Sequence, residues 1–199
     1  MIYLLRHGET EFNAAGRYQG RVDSPLTPRG RAQAAAGAAL LAEALGAAVP
    51  AIWTSPLGRA RATAEILRAA LPAAGPSRVD PRLTELAMGE WEGMTRAGIE
   101  ARWPGLRRRH PPGEWMFHAP GGERMAEARA RLAAVLAEAG MAERPVVLVG
   151  HGVAGRLLRG LHRGLPPAEA LRLSATQGEV FALLPGGGET ALSAGRPLP

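Results

Sequence analysis

Short runs of apolar residues alternate along this chain with longer stretches rich in alanine and leucine. The short runs cover residues 2–5, 51–54, 146–149 and 180–184, and each is apolar almost throughout. Such runs read as strands covered on both faces. The longer stretches, residues 28–45, 59–71, 122–139 and 153–161 with a short piece at 167–171, read as helices. Many of their surface positions carry alanine, the strongest helix former. Strand, helix and strand in succession predict an α/β fold, a three-layer sandwich with a mainly parallel central sheet flanked by helices.

Two stretches break this rhythm. Residues 86–121 hold three of the four tryptophans, Met88, Met94, Met116, Phe117 and the run Arg107, Arg108, Arg109, interrupted by Pro104, Pro111 and Pro112. A lid-like insertion carrying a specificity pocket is expected there, although aromatic and methionine side chains equally suit a minor core, the reading preferred for Trp91. Residues 185–199 are rich in glycine and proline and read as an edge strand or a partly disordered tail.

At 199 residues the chain fits a single domain spanning 1–199, large enough to bury a substantial core. No apolar run approaches the roughly 20 residues that cross a bilayer, and the first residues enter a strand without a signal peptide, so a cytoplasmic protein without membrane association is expected. There are no cysteines, and the five histidines lack the spacing of metal ligands, so neither metal nor cofactor is expected. The formal charge is +6 and every basic residue is arginine. With so many alanines, glycines and prolines, a compositional bias explains this as well as a binding surface does. The Arg107–Arg109 cluster reads as a solvated or substrate-rim patch rather than a nucleic-acid face, which would interleave aromatics over a longer stretch. Positive charge still attracts anionic substrates.

The chemistry concentrates where the first strand ends. MIYLLRHGETEFN sets Arg6, His7 and Gly8 side by side at the carboxyl edge of a strand, where open α/β sheets hold ligands. A neutral imidazole nitrogen can attack phosphorus and hold the phosphoryl group covalently. Arginine meets two phosphate oxygens at once and never loses its proton. Gly8 lets the backbone turn and approach an anion. VVLVGHG repeats the design around His151, and WTSPLGRA places Arg59 at the start of a helix after a short strand. LTELAMGEWEG supplies Glu85 between apolar neighbours, a setting in which a carboxyl can keep its proton. Each residue also has a plainer reading: His151 as a buried strand-end histidine, Arg59 as part of a solvated helix face with Arg61 and Arg68, Glu85 as an ion-pair partner, and Asn13 and Gln19 as cap and turn residues. Glu90 and Glu92 read as solvent-facing or structural. His110, His118 and His162 have no such context.

The order LLRHGET, GRYQG with DSPLT, SPLGRA with TAE, LTELAMGEWEG, PGGE and VGHG resembles the histidine phosphatase superfamily, from residue 1 to about residue 184. The resemblance implies that His7 is the phosphorylated nucleophile and Glu85 the proton donor. It also implies a phosphate clamp of Arg6, Arg59 and His151, amide contacts from Asn13 and Gln19, and a contribution from the backbone of Gly152. The activity implied is hydrolysis of a small phosphorylated metabolite, with a cofactor-dependent phosphoglycerate mutase as the alternative. Mutases of the family carry tyrosine, lysine and asparagine where this chain has Met88, no lysine and Val153, which favours the phosphatase. Ala62, Arg124 and Phe12 depart from the family pattern outside the chemistry. His7 must be neutral to attack, whereas His151 is most useful as a cation. A hydrogen bond from one His7 nitrogen to a backbone carbonyl would expose the other nitrogen as the attacking lone pair.

Overall fold

The computed structural model describes residues 1–195. Its strands are β1 (Ile2–Arg6), β2 (Ala51–Thr54), β3 (Arg78–Val79), β4 (Val146–Gly150), β5 (Val180–Leu183) and β6 (Glu189–Ala191). They form a six-stranded sheet in the order β3-β2-β4-β1-β5-β6. The pairs β3–β2, β2–β4 and β4–β1 are parallel, whereas β5 and β6 pair antiparallel. The helices are α1 (Glu11–Ala14), α2 (Pro28–Leu45), α3 (Gly58–Ala70), α4 (Arg96–Arg102), α5 (Met125–Gly140), α6 (Gly152–His162) and α7 (Pro167–Ala170).

Alternation along the strands divides the core. Ile2 and Leu4 of β1 and Val146 and Leu148 of β4 face a cluster with Leu132 and Val135 of α5 and Leu157 and Leu158 of α6. Tyr3, Leu5, Val147 and Val149 face the other way, onto Leu41 of α2 and Leu67 of α3. Both faces of the central strands are thus covered, which is why β1 and β4 carry no polar alternation.

Local signals set most helix ends. Thr27 caps α2, its hydroxyl accepting the Gly30 N–H at 3.0 Å, with Pro28 in the first turn. α5 starts at Met125, three residues later than the periodicity suggests. Gly121 has φ +70°, and a Cβ on Gly122 would lie 2.9 Å from the Ala87 carbonyl oxygen, so the chain there must pass close to another loop before it can wind. The Glu127 carboxylate then accepts the Arg124 N–H at 3.0 Å.

β3 was not visible in the pattern, because two exposed residues carry no periodicity; it pairs with β2 through Trp53↔Arg78 and Thr54↔Val79. The tail supplies β6, in keeping with its edge-strand reading, and residues 196–199 lie outside the described residues. Residues 86–121 contain α4 and several single turns. Trp91, Ile99, Trp115, Met116 and Phe117 are buried in the same cluster as α5 and α6, so this stretch extends the core on that face and is only in small part a lid.

The topology opens a crevice at one place. β1 and β4 are neighbours, yet the chain after β1 leads to α2 on one face and the chain after β4 leads directly into α6 on the other. The strands' carboxyl ends are therefore uncovered between them, the position at which open α/β sheets bind ligands. Close backbone approach shapes its floor: a Cβ on Gly8 would stand 2.1 Å from the Gly30 carbonyl oxygen, and one on Gly30 would stand 2.0 Å from that of Glu9. Only glycine allows the first turn of α2 to seat against the loop that carries His7.

Candidate active site

A cavity of about 340 Å³ opens at this crevice and is lined by Arg6, His7, Asn13, Gln19, Arg59, Glu85 and Gly152, among others. Seven of the eight residues singled out from the sequence thus share one wall. His7 is buried, and its Nδ1 lies 2.7 Å from the Gly8 carbonyl oxygen. A carbonyl can only accept, so Nδ1 carries the proton and Nε2 keeps the lone pair. Burial, then the charges of Arg6 and Arg59, push the His7 imidazole well below its ordinary value of 6.5, although the bond to Gly8 opposes them. His7 is neutral near pH 7, as a nucleophile requires.

Arg59 is 2% exposed and fully engaged. Its Nε donates to His7 Nε2 at 3.3 Å, one terminal nitrogen donates to the Val22 carbonyl and to Asp23 at 2.9 Å each, and the other donates to the Gly20 carbonyl at 2.7 Å. The solvated-face reading holds only for its exposed neighbours Arg61 and Arg68. Arg6, at the end of β1, is tied by a terminal nitrogen to the Ala175 carbonyl at 2.6 Å. Two guanidiniums are thereby held in place beside one imidazole.

His151 is the eighth residue and departs from expectation. It is 1% exposed and sits behind His7, ring edge to ring face at 5.1 Å, with Nε2 2.7 Å from the Ser55 hydroxyl. Burial, then His7, Arg59 and Arg6, push it well below 6.5. In this arrangement His151 is neutral rather than the expected cation, because desolvation and the basic groups around it all oppose its proton. A stability effect follows. Both imidazoles have lowered folded-state values, so the unfolded chain binds more protons below 6.5 and stability falls as pH drops through that range. Urea denaturation at pH 6.5 and one unit lower should show a loss of about 1 kcal/mol per histidine. A His151→Gln variant should lose about half of the pair's contribution; an unchanged pH slope in that variant would contradict the assignment.

Glu85 approaches from the α6 side. Its carboxylate accepts the N–H groups of Val153 at 3.0 Å and Ala154 at 2.9 Å, in the first turn of α6, and that of Leu86 at 2.9 Å. The apolar surroundings suggested by its sequence neighbours are replaced by a helix N-terminus, since Leu86 turns into the core. The carboxyl is consequently fixed at the cavity wall rather than free to swing.

Comparison with known proteins shows the family. Residues 2–194 match the family model described as histidine phosphatase superfamily (branch 1). The chain belongs to that superfamily. It is 39% identical over 165 residues to the glucosyl-3-phosphoglycerate phosphatase of Mycobacterium tuberculosis, covering 76% of this chain and 70% of the relative. It is also 39% identical over 175 residues to the probable phosphoglycerate mutase GpmB of Escherichia fergusonii, covering 86% and 79%. Among solved structures, a mycobacterial glucosyl-3-phosphoglycerate phosphatase complexed with VO3 superposes with a TM-score of 0.76 at 34% identity, covering 91% and 92% of the two chains. YhfR of Bacillus stearothermophilus gives 0.77 at 30% identity, covering 100% and 97%.

In this member of the superfamily Asn13 and Gln19 take their cap and turn roles and also border the cavity. Asn13 closes a capping box with Thr10 and accepts from Gln177 at 2.8 Å, and Gln19 donates to the Thr10 hydroxyl at 2.7 Å, while both line the cavity. Several contributors were missed in the sequence. The loop between α7 and β5 offers the carbonyls of Leu173, Ser174 and Ala175 to Arg156, Arg159 and Arg6 in turn, so backbone oxygens with no sequence signature aim three arginines. Glu92, by contrast, takes the structural one of its two sequence readings: through one carboxylate oxygen it accepts the N–H groups of Met88 and Arg21 and joins two cavity loops. Arg17, Tyr18, Met88 and Arg156 also line the wall. Of these, Arg156 had a legible signal, for it follows Gly152 by four positions on a helix. The Arg107–Arg109 cluster lies outside the cavity lining: Arg107 stacks on Trp115 at 5.0 Å and Arg108 pairs with Glu100 at 3.8 Å.

Proposed function

We propose that this chain is a phosphomonoesterase that hydrolyses a small phosphorylated metabolite through a phosphohistidine on His7, with Glu85 as general acid and base. The observation that carries this reading is the neutral imidazole whose Nδ1–H is anchored on Gly8 and whose Nε2 faces Arg59 and the cavity. A phosphoryl dianion is a far better acceptor than Nε2 for the Arg59 N–H, so substrate binding draws that donor onto an equatorial oxygen and frees the lone pair.

Nε2 then forms a bond to phosphorus as the ester P–O bond breaks, and the departing alkoxide takes the proton of Glu85. In the second half-reaction water bonds to phosphorus as the P–Nε2 bond breaks, its proton passes to the Glu85 carboxylate and inorganic phosphate leaves, the electron pair returning to Nε2 of a neutral His7. Phosphoryl transfer asks little of a protein beyond alignment and charge, which Arg6 and Arg59 supply. His151, Asn13, Gln19 and the backbone of Gly152 complete the proposed clamp. His151 acts from behind the nucleophile, and an arriving dianion favours its protonated form. No metal or cofactor enters this scheme, and the proposed setting is cytoplasmic, without nucleic acid or membrane as partner.

Phosphatase is favoured over mutase because Met88 and Val153 line the cavity with apolar surface. A mutase must hold its substrate in two orientations and shield the phosphohistidine from water, which needs further anion contacts. Phosphate release from sugar phosphates, phosphoglycerates, glucosyl-3-phosphoglycerate and α-ribazole phosphate, measured with a chelator present, tests this. Turnover that persists with chelator and needs no bisphosphoglycerate supports the reading. Interconversion of 3- and 2-phosphoglycerate on addition of bisphosphoglycerate, without phosphate release, would replace it with the mutase.

A further inference from the structure

Glu123 closes the PGGE turn just before α5, and Arg131 follows it in the second turn of that helix. Side chains on a helix lean toward its N-terminus, so Arg131 reaches back over the turn. There it meets Glu123 through two bonds: Arg131 Nε donates to Oε1 at 2.6 Å, and one terminal nitrogen donates to Oε2 at 2.9 Å. Both side chains are largely buried, 15% and 7% exposed. A buried ion pair adds little net stability over apolar packing, so what it holds matters more than its presence.

Its remaining contacts converge on one loop. The other terminal nitrogen of Arg131 donates to the carbonyls of Arg82 at 2.6 Å and Thr84 at 2.7 Å. Glu123 takes the far side: its N–H donates to the Ala87 carbonyl at 2.9 Å, and its Oε2 accepts the Ala87 N–H at 3.4 Å. Between Thr84 and Ala87 stand Glu85, the proposed proton donor, and the buried Leu86. The backbone on both sides of the general acid is thus anchored to one ion pair. Aim matters because the two oxygens of Glu85 differ. Oε1 accepts from Leu86 and Ala154, whereas Oε2 accepts from Val153, its one bond among the described residues. A carboxyl oxygen needs a free position to carry a transferable proton, so Oε2 is the donor and the loop must direct it.

We propose that Arg131 and Glu123 are positioning residues for proton transfer: their ion pair holds the Glu85 loop where Oε2 meets the departing oxygen of the ester. This rests on the phosphatase reading above. Neither residue is among those that line the cavity. A displacement of about 1 Å in a reacting group can cost on the order of a hundredfold in rate, so residues outside the cavity can govern the step.

The test uses Glu123→Gln, which keeps an acceptor for the Ala87 N–H, and Arg131→Lys, which keeps the positive charge that reaches His151 but loses the fork. Each is assayed for kcat/KM on p-nitrophenyl phosphate and on whichever alkyl phosphate of the panel above is hydrolysed fastest. The alkyl ester should lose about tenfold to a hundredfold in both variants. The aryl ester, whose leaving group departs without a proton, should lose far less. A ratio between two esters does not depend on the fraction of chains folded. In a Glu85→Gln background the same substitutions should add no further loss on the alkyl ester, because the group they position has already gone. Equal losses on both esters, no loss on either, or a full additional loss in the Glu85→Gln background would overturn the positioning role. Should Glu85→Gln alone discriminate between the esters, the positioning role falls and the proton donor stands. Absence of phosphate release by the wild type from any ester would overturn the phosphatase reading as well.

Discussion

Phosphate release should fall by roughly 10⁵-fold or more when His7 is replaced by alanine, the scale expected when the nucleophile of a covalent mechanism is removed. The substitution deletes the atom that bonds to phosphorus, and Arg6 and Arg59 cannot replace it, since a guanidinium has no lone pair to offer. The anion-binding wall is otherwise kept, because Arg59 retains Gly20, Val22 and Asp23, and Arg6 retains Ala175. The variant should therefore still bind inorganic phosphate or a substrate ester while turning nothing over. Rapid acid-free quenching followed by intact-mass measurement should show a phosphorylated wild-type chain and an unmodified variant. Turnover by His7→Ala within tenfold of wild type would end the covalent mechanism.

Glu85→Gln should lower hydrolysis of alkyl phosphates by about 10²- to 10⁴-fold, the usual contribution of a positioned acid and base. Glutamine can keep the one oxygen that accepts from Ala154 and Leu86 and gives up only the bond from Val153, so the loop should stay in place while the proton is lost. The size of the effect should depend on the leaving group. An alkoxide needs a proton as it departs, whereas p-nitrophenolate is stable without one. With p-nitrophenyl phosphate, formation of the phosphohistidine should survive while its hydrolysis, which needs the same carboxylate as base, becomes slow. A burst of p-nitrophenol near one equivalent per chain is the expected signature. Equal losses for alkyl and aryl esters, without a burst, would remove Glu85 from proton transfer.

Much of this site was legible because its parts are local. The sequence Arg6-His7-Gly8 at the end of β1 and Gly150-His151-Gly152 at the end of β4 each place their chemistry where a strand stops, and the buried strands announce themselves as apolar runs. Arg59 was ambiguous among neighbouring arginines, and only packing separates it from the solvated Arg61 and Arg68. The stretch 86–121 was ambiguous in the same way, between a lid and a minor core. Its aromatics suggest a lid, yet Trp91, Trp115 and Phe117 found a core to enter, and from this stretch Met88 reaches the cavity among the described residues. β3 was invisible because two residues of edge strand borrow their register from β2.

The sequence by itself determined the α/β architecture, the family and the identity of the groups available for phosphoryl transfer, since strand burial, helix propensity and side-chain chemistry are written residue by residue. Tertiary structure alone decided that His151 stands neutral behind His7, that Glu85 is pinned to the N-terminus of α6, and that three carbonyls of one loop aim Arg6, Arg156 and Arg159. Desolvation and charge proximity depend on which distant segments close around a group, and the backbone oxygens that orient these arginines are the same in every residue. Neither leaves a mark in the order of amino acids.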